Sequence, residues 1–211
     1  MKRIEIQVSN PSETSVGEIT EILQKGGIVA LPTDTVYGLV CRIDSAESIK
    51  RIYEIKGREE SKPLPVFVNG LEQVKLFSNP VPRVAEEIIG KYWPGPVTLI
   101  FPCEKEEFQG VTRGSGKIGL RMPNSQLVLQ LLDKLNIPLA STSANISRQK
   151  AAVYALEVEK MLAGQLDLVV DGGSCGSGVA STVIDLTTTP MNIIRSGEIP
   201  EEEIKKIIRK S

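Results

Sequence analysis

Short aliphatic runs alternate with amphipathic segments along this chain, and that alternation constrains the fold more than any other feature. Runs rich in Ile, Val and Leu at 28–31, 97–101 and 168–170 are typical of buried strands. Between them apolar residues recur at helical spacing, most clearly at 127–135, and the segment 45–56 ends in a glycine stop. We count about eight strands and six helices, which predicts an α/β fold.

Some neighbouring predicted strands, such as 97–101 and 117–122, have no predicted helix between them. Parallel strands need a long crossover connection, so a mixed sheet is expected rather than a purely parallel one. No repeat or low-complexity linker interrupts the pattern. We therefore expect a single domain at 1–211, with its motif-bearing core at about 14–199 and a C-terminal helix at 200–210.

The chain contains no histidine, and its 25 Lys plus Arg face 26 Asp plus Glu, for a net charge of -1. Ser-His-Asp triads, Cys-His dyads, histidine general bases and imidazole zinc sites are therefore excluded. The balanced charge also argues against a protein that holds long nucleic acid by phosphate neutralisation. A local basic pocket stays compatible with it.

Three isolated cysteines, Cys41, Cys103 and Cys175, form no CxxC pair, so neither a disulfide framework nor a zinc knuckle is indicated. The first ten residues lack the long apolar stretch of a signal peptide. No run of about 18 apolar residues predicts a membrane span. These features favour a cytoplasmic protein without membrane contact.

Polar residues stand between two predicted strands at Thr33, Asp34 and Thr35. They fit a tight turn in which Asp and Thr bond their own backbone, and they fit a ligand site equally well. Asp34 is accordingly either an orienting group or a brace of the turn. The residues alone leave both readings open.

Basic residues follow the helix predicted at 45–56, at Lys56, Arg58 and Lys62. They can complement the helix dipole, or they can clamp a phosphate or carboxylate, because Arg offers a planar fork and Lys a compact charge. Arg121 and Arg195 interrupt or end other strands, where an arginine is usually exposed to solvent.

Small hydrogen-bonding residues at 141–145 follow an apolar strand, which is a natural ligand-binding edge but also fits an ordinary loop or helix cap. A glycine-rich segment at 171–178 matches neither the P-loop nor the dinucleotide pattern, so a flexible loop is the simpler interpretation.

Seven strings occur in order along the chain: PTDTVYGL, KGR followed by KPL, WPGPVTL, LRMP, STSAN, STVIDL and IRSG. As a set they resemble the YrdC-type threonylcarbamoyl-adenylate synthase family over roughly 14–210, in its short single-domain form. The resemblance implies a twisted mixed sheet with flanking helices around a large basic cavity. It implies an enzyme that forms threonylcarbamoyl-adenylate and pyrophosphate from L-threonine, bicarbonate or CO2, and ATP, for tRNA threonylcarbamoyladenosine modification.

The resemblance also implies site residues. The catalytic tetrad corresponds to Lys56, Arg58, Ser143 and Asn145. Threonine contacts correspond to Thr33, Thr35, Arg121 and Ser181. Nucleotide contacts correspond to Arg58, Lys62, Lys117, Ser141, Ser143, Asn145 and Arg195. Two positions depart from the family pattern: Phe67 stands where many members have histidine, and Ala151 lacks a hydroxyl that some relatives place at the nucleotide.

The implied cofactor is Mg²⁺, held by the ATP phosphates rather than by protein side chains. The implied partners are proteins that transfer the threonylcarbamoyl group to tRNA, and a weak contact with RNA is open. The alternative from another class is a non-catalytic module that binds double-stranded RNA or tRNA, although a single tryptophan and neutral charge argue against it. A third option, the related domain of hydrogenase maturation factors, normally lies in longer chains with zinc-finger cysteines.

Overall fold

The structure, a computed structural model, describes residues 2–162 and 164–208. Its strands are β1 (Lys2–Glu5), β2 (Val29–Leu31), β3 (Gly38–Arg42), β4 (Val66–Phe67), β5 (Val97–Pro102), β6 (Lys117–Arg121), β7 (Leu139–Ser143), β8 (Leu168–Asp171), β9 (Thr182–Asp185) and β10 (Asn192–Arg195). Its α-helices are α1 (Glu13–Gln24), α2 (Ala46–Lys56), α3 (Leu71–Phe77), α4 (Arg83–Tyr92), α5 (Gln109–Thr112), α6 (Gln126–Leu135), α7 (Ala155–Met161) and α8 (Glu201–Ile208). A short 3-10 helix covers Glu106–Phe108.

The described strands form one ten-stranded sheet in the order β1-β8-β2-β3-β7-β4-β6-β5-β9-β10. Parallel pairs, such as β4 with β6 and β5 with β9, lie beside antiparallel pairs, such as β3 with β7 and β5 with β6. The predicted twisted mixed sheet with flanking helices is confirmed. The predicted single domain at 1–211 stays a prediction.

Local sequence explains where the helices begin and end. Ser45 caps α2, since its side chain accepts a hydrogen bond from the backbone N–H of Ser48, and Gly57 ends the helix in the left-handed conformation with φ 53°. The helix predicted at 45–56 is thus confirmed. Helix α6 presents a continuous apolar face because Leu127, Leu131 and Leu135 recur at helical spacing.

Two apolar clusters cover opposite faces of the sheet, because side chains of a strand alternate between its faces. In β3, Leu39 and Cys41 belong to the larger cluster, whereas Val40 belongs to a smaller cluster that packs under α1 and α6. In β7, Ala140 and Leu139 divide in the same way. The face of the smaller cluster is only partly apolar, and its remaining positions carry the candidate site.

Several predicted boundaries are wrong. The strand predicted at 64–69 pairs over Val66–Phe67, and Pro65 prevents an earlier start because it has no N–H to donate to a neighbouring strand. The strand predicted at 3–8 ends at Glu5. The helix predicted at 154–163 is present as α7, which is shorter and spans Ala155–Met161. Helix α3 was not predicted. The C-terminal helix predicted at 200–210 is present as α8, and its last two positions, with Arg209 and Lys210, lie outside the described residues.

No helix in the described ranges has both the length and the apolar character needed to cross a bilayer.

Candidate active site

Polar side chains share one face of the sheet. In β6, Ile118 and Leu120 lie in the larger apolar cluster, so Lys117 and Arg121 lie on the opposite face. In β7, Ser141 and Ser143 alternate with buried Ala140 in the same way. The register continues this polar face from strand to strand.

Small residues leave space above the middle of this face of the sheet. Gly38 pairs with Ser143, and Ile100 pairs with Gly119. A Cβ at Gly119 would lie 3.3 Å from the Thr98 side chain, and one at Gly38 would lie 3.7 Å from both the Thr33 side chain and the Thr142 carbonyl. The sequence therefore places glycine and serine where larger residues would fill the space above the sheet.

Lys56 is folded back into the protein although it ends α2, and only 1% of it is exposed. Its Nζ donates to the Ser143 carbonyl, to the Asn145 carbonyl at 2.7 Å and to Asn145 Oδ1 at 3.0 Å. These acceptors belong to the end of β7 and the loop after it. The ammonium thus joins the two halves of the predicted tetrad rather than complementing the dipole of its own helix.

Burial, together with the positive charge of Arg58, lowers the pKa of Lys56 to about 7. Asn145 is itself fixed, because its Nδ2 donates to the Gln149 carbonyl at 2.6 Å and Ser143 Oγ donates to its Oδ1 at 2.6 Å. The four predicted tetrad residues are brought together by the structure. Their roles stay a prediction.

Arg58 is half-buried and donates to the backbone carbonyls of Lys62 and Pro63 at 3.4 and 2.9 Å, and it also interacts with the side chain of Tyr53. A cavity of about 440 Å³ opens beside it, and we call this cavity the basic pocket. The titratable side chains that line it are Lys56, Arg58, Glu59, Lys62 and Arg148. Glu59 pairs with Lys62 at 3.0 Å and with Arg148 at 2.7 Å, so in the described chain Lys56 and Arg58 have no carboxylate partner.

Arg121 is buried, with 5% exposed, so the expectation of a solvent-facing arginine is wrong. Its Nε donates to the Gly95 carbonyl at 3.0 Å, its Nη1 to Thr35 Oγ1 at 3.0 Å and its Nη2 to Asp34 Oδ1 at 2.6 Å. Burial lowers the pKa of Arg121, and the Asp34 carboxylate opposes that shift. The tight turn and the ligand site considered for 33–35 are therefore compatible, since Thr33 Oγ1 also donates to the Val36 carbonyl at 2.7 Å.

Ser181 extends this group from the residue just before β9, the strand that pairs with β5 on the side away from β6. Its Oγ lies 2.8 Å from Thr98 Oγ1, and Arg195 Nη2 donates to it at 2.9 Å. Arg195 as a whole is exposed, yet its guanidinium is enclosed enough that burial lowers its pKa, with the charge of Arg121 as a second cause. We call Asp34, Thr35, Arg121, Ser181 and Arg195 the arginine cluster.

The structure therefore divides the predicted nucleotide contacts. Arg195 does not line the basic pocket. It contacts Ser181, which was predicted to bind the substrate threonine. Lys117 lies about 13 Å along β6 from Arg121 and pairs with Asp185 at 3.0 Å. Ser141 is buried and bonds the Pro65 carbonyl at 3.2 Å.

The glycine-rich segment at 171–178 is not simply a flexible loop, because it packs closely against the arginine cluster. A Cβ at Gly176 would lie 1.8 Å from the Asp34 carbonyl oxygen. Tyr37, fully buried, ties the segment to the 33–35 turn by donating to the Gly173 carbonyl at 2.8 Å. This contact was missed from sequence, where only the density of glycines signalled it.

Two further residues were also missed. Thr98 supports Ser181, and the alternation of β5 was its only signal. Glu59 neutralises part of the basic pocket, and its position next to Arg58 gave no indication of that. Phe67 is buried at 6% exposed and pairs in register with Arg121, so its ring lies beside the arginine cluster.

The basic pocket and the arginine cluster are neighbours. Gly38 pairs with Ser143 of the pocket, and the position of a Gly38 Cβ is 3.7 Å from the Thr33 side chain, whose hydroxyl is 3.0 Å from Thr35 Oγ1. Across the described residues no group of three acidic, cysteine or histidine side chains is placed to hold a metal ion.

Comparisons with known proteins point to one family. A sequence model of the Sua5/YciO/YrdC family, described as telomere recombination, matches residues 21–197. The chain is 37% identical over 186 residues to threonylcarbamoyl-AMP synthase of Pyrococcus abyssi, an alignment that covers 88% of this chain and 55% of that protein. The chain thus spans little more than half the length of this curated relative.

Solved structures agree with this result. The crystal structure of P. abyssi Sua5 complexed with L-threonine superimposes with a TM-score of 0.93 at 34% identity, over 99% of this chain and 61% of that one. E. coli YciO superimposes with a TM-score of 0.88 at 28% identity, over 97% of this chain and 100% of that one. The sequence match and these superpositions show that the chain belongs to the Sua5/YciO/YrdC family.

Proposed function

We propose that this chain is an L-threonylcarbamoyladenylate synthase, which forms threonylcarbamoyl-AMP and pyrophosphate from L-threonine, bicarbonate or CO2, and ATP. The observation that carries the proposal is the adjacency of a basic pocket and a buried arginine cluster on one face of the sheet. The name of the P. abyssi relative and the threonine complex of its Sua5 support the same reaction.

The basic pocket suits a triphosphate. Lys56 and Arg58 lack carboxylate partners in the described chain, so a bound anion would satisfy both charges. Lys62 sits at the rim and can exchange Glu59 for a phosphate oxygen. Mg²⁺ would bind the triphosphate and neutralise its charge, consistent with a pocket that offers one carboxylate, Glu59.

The arginine cluster suits threonine. Arg121 is fixed by three hydrogen bonds and would pair with the substrate carboxylate, while Thr35 and Ser181 offer hydroxyls beside it. Thr33 braces Thr35 within the turn. A substrate bound there would direct its reacting group toward the basic pocket across Gly38.

The reaction needs alignment more than a protein base, which agrees with the lack of histidine. The amine of threonine, as the free base, adds to CO2 and loses a proton to give a carbamate. A carbamate oxygen then attacks the α-phosphorus of ATP, and the bond to the pyrophosphate leaving group breaks. Lys56, Arg58 and Arg195 would stabilise the phosphate and carbamate charges, and Ser143 with Asn145 would hold Lys56 in place.

Placement in the cell belongs to the same proposal. The product would pass to proteins that transfer the threonylcarbamoyl group to tRNA. A cytoplasmic location is consistent with three free, buried cysteines.

Pyrophosphate release tests the proposal. The purified chain is incubated with ATP, Mg²⁺ and bicarbonate, and each amino acid is added in turn. We expect release with threonine and little with the others, and loss of release on omitting bicarbonate. Equal release with every amino acid, or none with threonine, would contradict the proposed reaction.

The RNA-binding alternative is not favoured, since curated relatives across archaea, bacteria and eukaryotes are named as synthases. Salt-sensitive binding of tRNA without pyrophosphate release would restore it.

A further inference from the structure

Asp34 has an oxygen that the turn does not use. Its Oδ1 accepts a hydrogen bond from Arg121 Nη2 at 2.6 Å, but its Oδ2 is buried and has no hydrogen-bond partner among the described residues. The side chain is only 13% exposed. A buried carboxylate oxygen without a donor is costly, so a donor is expected to approach it when the site is filled.

The donors nearby are already assigned. Arg121 uses its Nε for Gly95 and one hydrogen on each terminal nitrogen for Thr35 and Asp34, which leaves two N–H groups for a carboxylate. The Thr35 hydroxyl accepts from Arg121, and Arg195 donates to Ser181. No described side chain is therefore placed to donate to Asp34 Oδ2.

The charges of the arginine cluster indicate which ligand supplies the donor. Two guanidiniums, Arg121 and Arg195, lie near each other. Arg121 forms its ion pair with Asp34, while Glu198 acts on Arg121 through its charge. A ligand that carried only a carboxylate would satisfy Arg121 but leave Oδ2 unpaired. A zwitterion satisfies both, because its cation can approach Asp34 while its anion approaches Arg121.

We propose that Asp34 Oδ2 accepts a hydrogen bond from the α-ammonium group of the amino acid whose carboxylate pairs with Arg121. This inference rests on the proposed function and assigns a residue to the amine. In an α-amino acid one carbon separates the ammonium from the carboxylate, which matches a carboxylate and a guanidinium that are themselves in direct contact. Asp34 is then a substrate-binding residue that selects amino acids over hydroxy acids and keto acids.

The selectivity of the wild-type chain gives the first test. Calorimetric titration would compare L-threonine with its 2-hydroxy analogue, 2,3-dihydroxybutanoate, in which a neutral hydroxyl replaces the ammonium and the carboxylate and the side-chain hydroxyl are kept. We expect threonine to bind at least about tenfold more tightly, the effect of one charged hydrogen bond. Equal affinity for the two ligands would overturn the inference while leaving the proposed reaction standing.

The variant Asp34→Asn gives the second test, because its amide keeps an acceptor for Arg121 and removes the charge. We expect threonine affinity to fall at least about tenfold and affinity for 2,3-dihydroxybutanoate to change less than about threefold. Equal losses for both ligands would show that Asp34 acts only through Arg121, and unchanged threonine affinity would overturn the inference.

A matched control is Asp44→Asn, which weakens an Arg–Asp pair of similar chemistry outside the site, between Arg42 and Asp44. It should leave both affinities unchanged. If Asp34→Asn does not fold, the wild-type comparison decides alone. A wild-type chain that binds no threonine would overturn the proposed function, and this inference with it.

Discussion

The basic pocket and the arginine cluster are neighbours on one face of the sheet, yet they handle charge in opposite ways. In the described chain, Lys56 and Arg58 of the basic pocket are held by oxygens of the backbone and of Asn145 and have no carboxylate partner. Arg121 of the arginine cluster forms an ion pair with Asp34. The charges of Lys56 and Arg58 are thus left for a ligand, although Glu59 pairs with Lys62 and Arg148 at the same pocket, whereas the arginine cluster already neutralises much of its own charge.

The difference in charge pairing indicates which kind of ligand each region can bind. Unpaired cations favour a polyanion, because the ligand supplies all of the compensating charge. A guanidinium–carboxylate pair favours a zwitterion, because an anion alone would be repelled by Asp34. Under the proposed function the two regions would select ATP and an amino acid by charge pattern, and substitutions in one region should affect one substrate.

The largest effect is expected for Arg58→Ala. We predict that adenylate formation falls by about 100-fold or more, the usual loss when a charge-stabilising donor is removed. The fold should persist, since Arg58 is half-buried and bonds the carbonyls of the nearby residues Lys62 and Pro63. Pyrophosphate release at saturating threonine measures the loss, and a thermal melt checks the fold.

The exposed surface variant Arg83→Ala is the control for Arg58→Ala, since its side chain is 89% exposed. It should retain wild-type rates. A folded Arg58→Ala protein with wild-type activity would show that Arg58 is not needed for the reaction. It would contradict the assignment of the phosphates to the basic pocket.

A smaller effect is expected for Arg121→Lys, which keeps the charge but loses the bonds to Gly95 and Thr35. We predict that KM for threonine rises about 10- to 100-fold while KM for ATP stays unchanged. Initial rates with each substrate varied in turn give both constants. Arg42→Lys, outside the site, is the control, and a rise in KM for ATP alone would reverse the assignment.

The pH dependence of ATP binding tests the contribution of the Lys56 charge to the basic pocket. Burial, with help from Arg58, lowers the pKa of Lys56 to about 7, so its ammonium loses charge as the pH rises through 7. Phosphate favours the charged form, so ATP affinity should fall above pH 7 by at most about tenfold per pH unit, the limit for one proton.

Calorimetric titration of ATP between pH 6 and 9, compared with the Lys56→Met variant, isolates this contribution from the titration of ATP itself. Above pH 7 the ATP affinity of the wild type should decline relative to that of the variant, because the variant has no lysine at position 56 to lose its charge. If ATP affinity depends on pH in the same way for the wild type and the variant, the charge of Lys56 does not contribute to nucleotide binding. Threonine affinity should not follow this titration.

The smallest effect is expected at the loop behind the arginine cluster. A Cβ at Gly176 would meet the Asp34 carbonyl, so Gly176→Ala should displace the turn, destabilise the fold by about 1–3 kcal/mol and raise KM for threonine about threefold. Gly173→Ala is the matched control, because its Cβ meets nothing within 4 Å and its φ of 79° costs about 1 kcal/mol. Equal KM values for the two variants would separate the loop from the site.

Periodicity predicted much of the fold because it reflects which face of an element is buried. The helix at 45–56 and the apolar face of α6 were both predicted, since capping and spacing are local properties. Helix α3 and the short pairing of β4 were not, because seven and two residues carry too little periodic signal.

The candidate site divides in the same way. The motif strings predicted that Lys56, Ser143 and Asn145 belong together, and the structure joins them. Burial of Arg121 and its pair with Asp34 depend on how β6 meets a turn 87 residues away in sequence, and no local pattern reports that contact. Charge pairing is a tertiary property, so the contrast between the two regions came from the structure.

A crystal structure with L-threonine, Mg²⁺ and a non-hydrolysable ATP analogue tests this account most directly. We expect triphosphate oxygens in contact with Arg58 and close to the Lys56 ammonium, and the threonine carboxylate on Arg121 on the same face of the sheet. A triphosphate bound to Arg121, or either ligand bound away from this face, would contradict it.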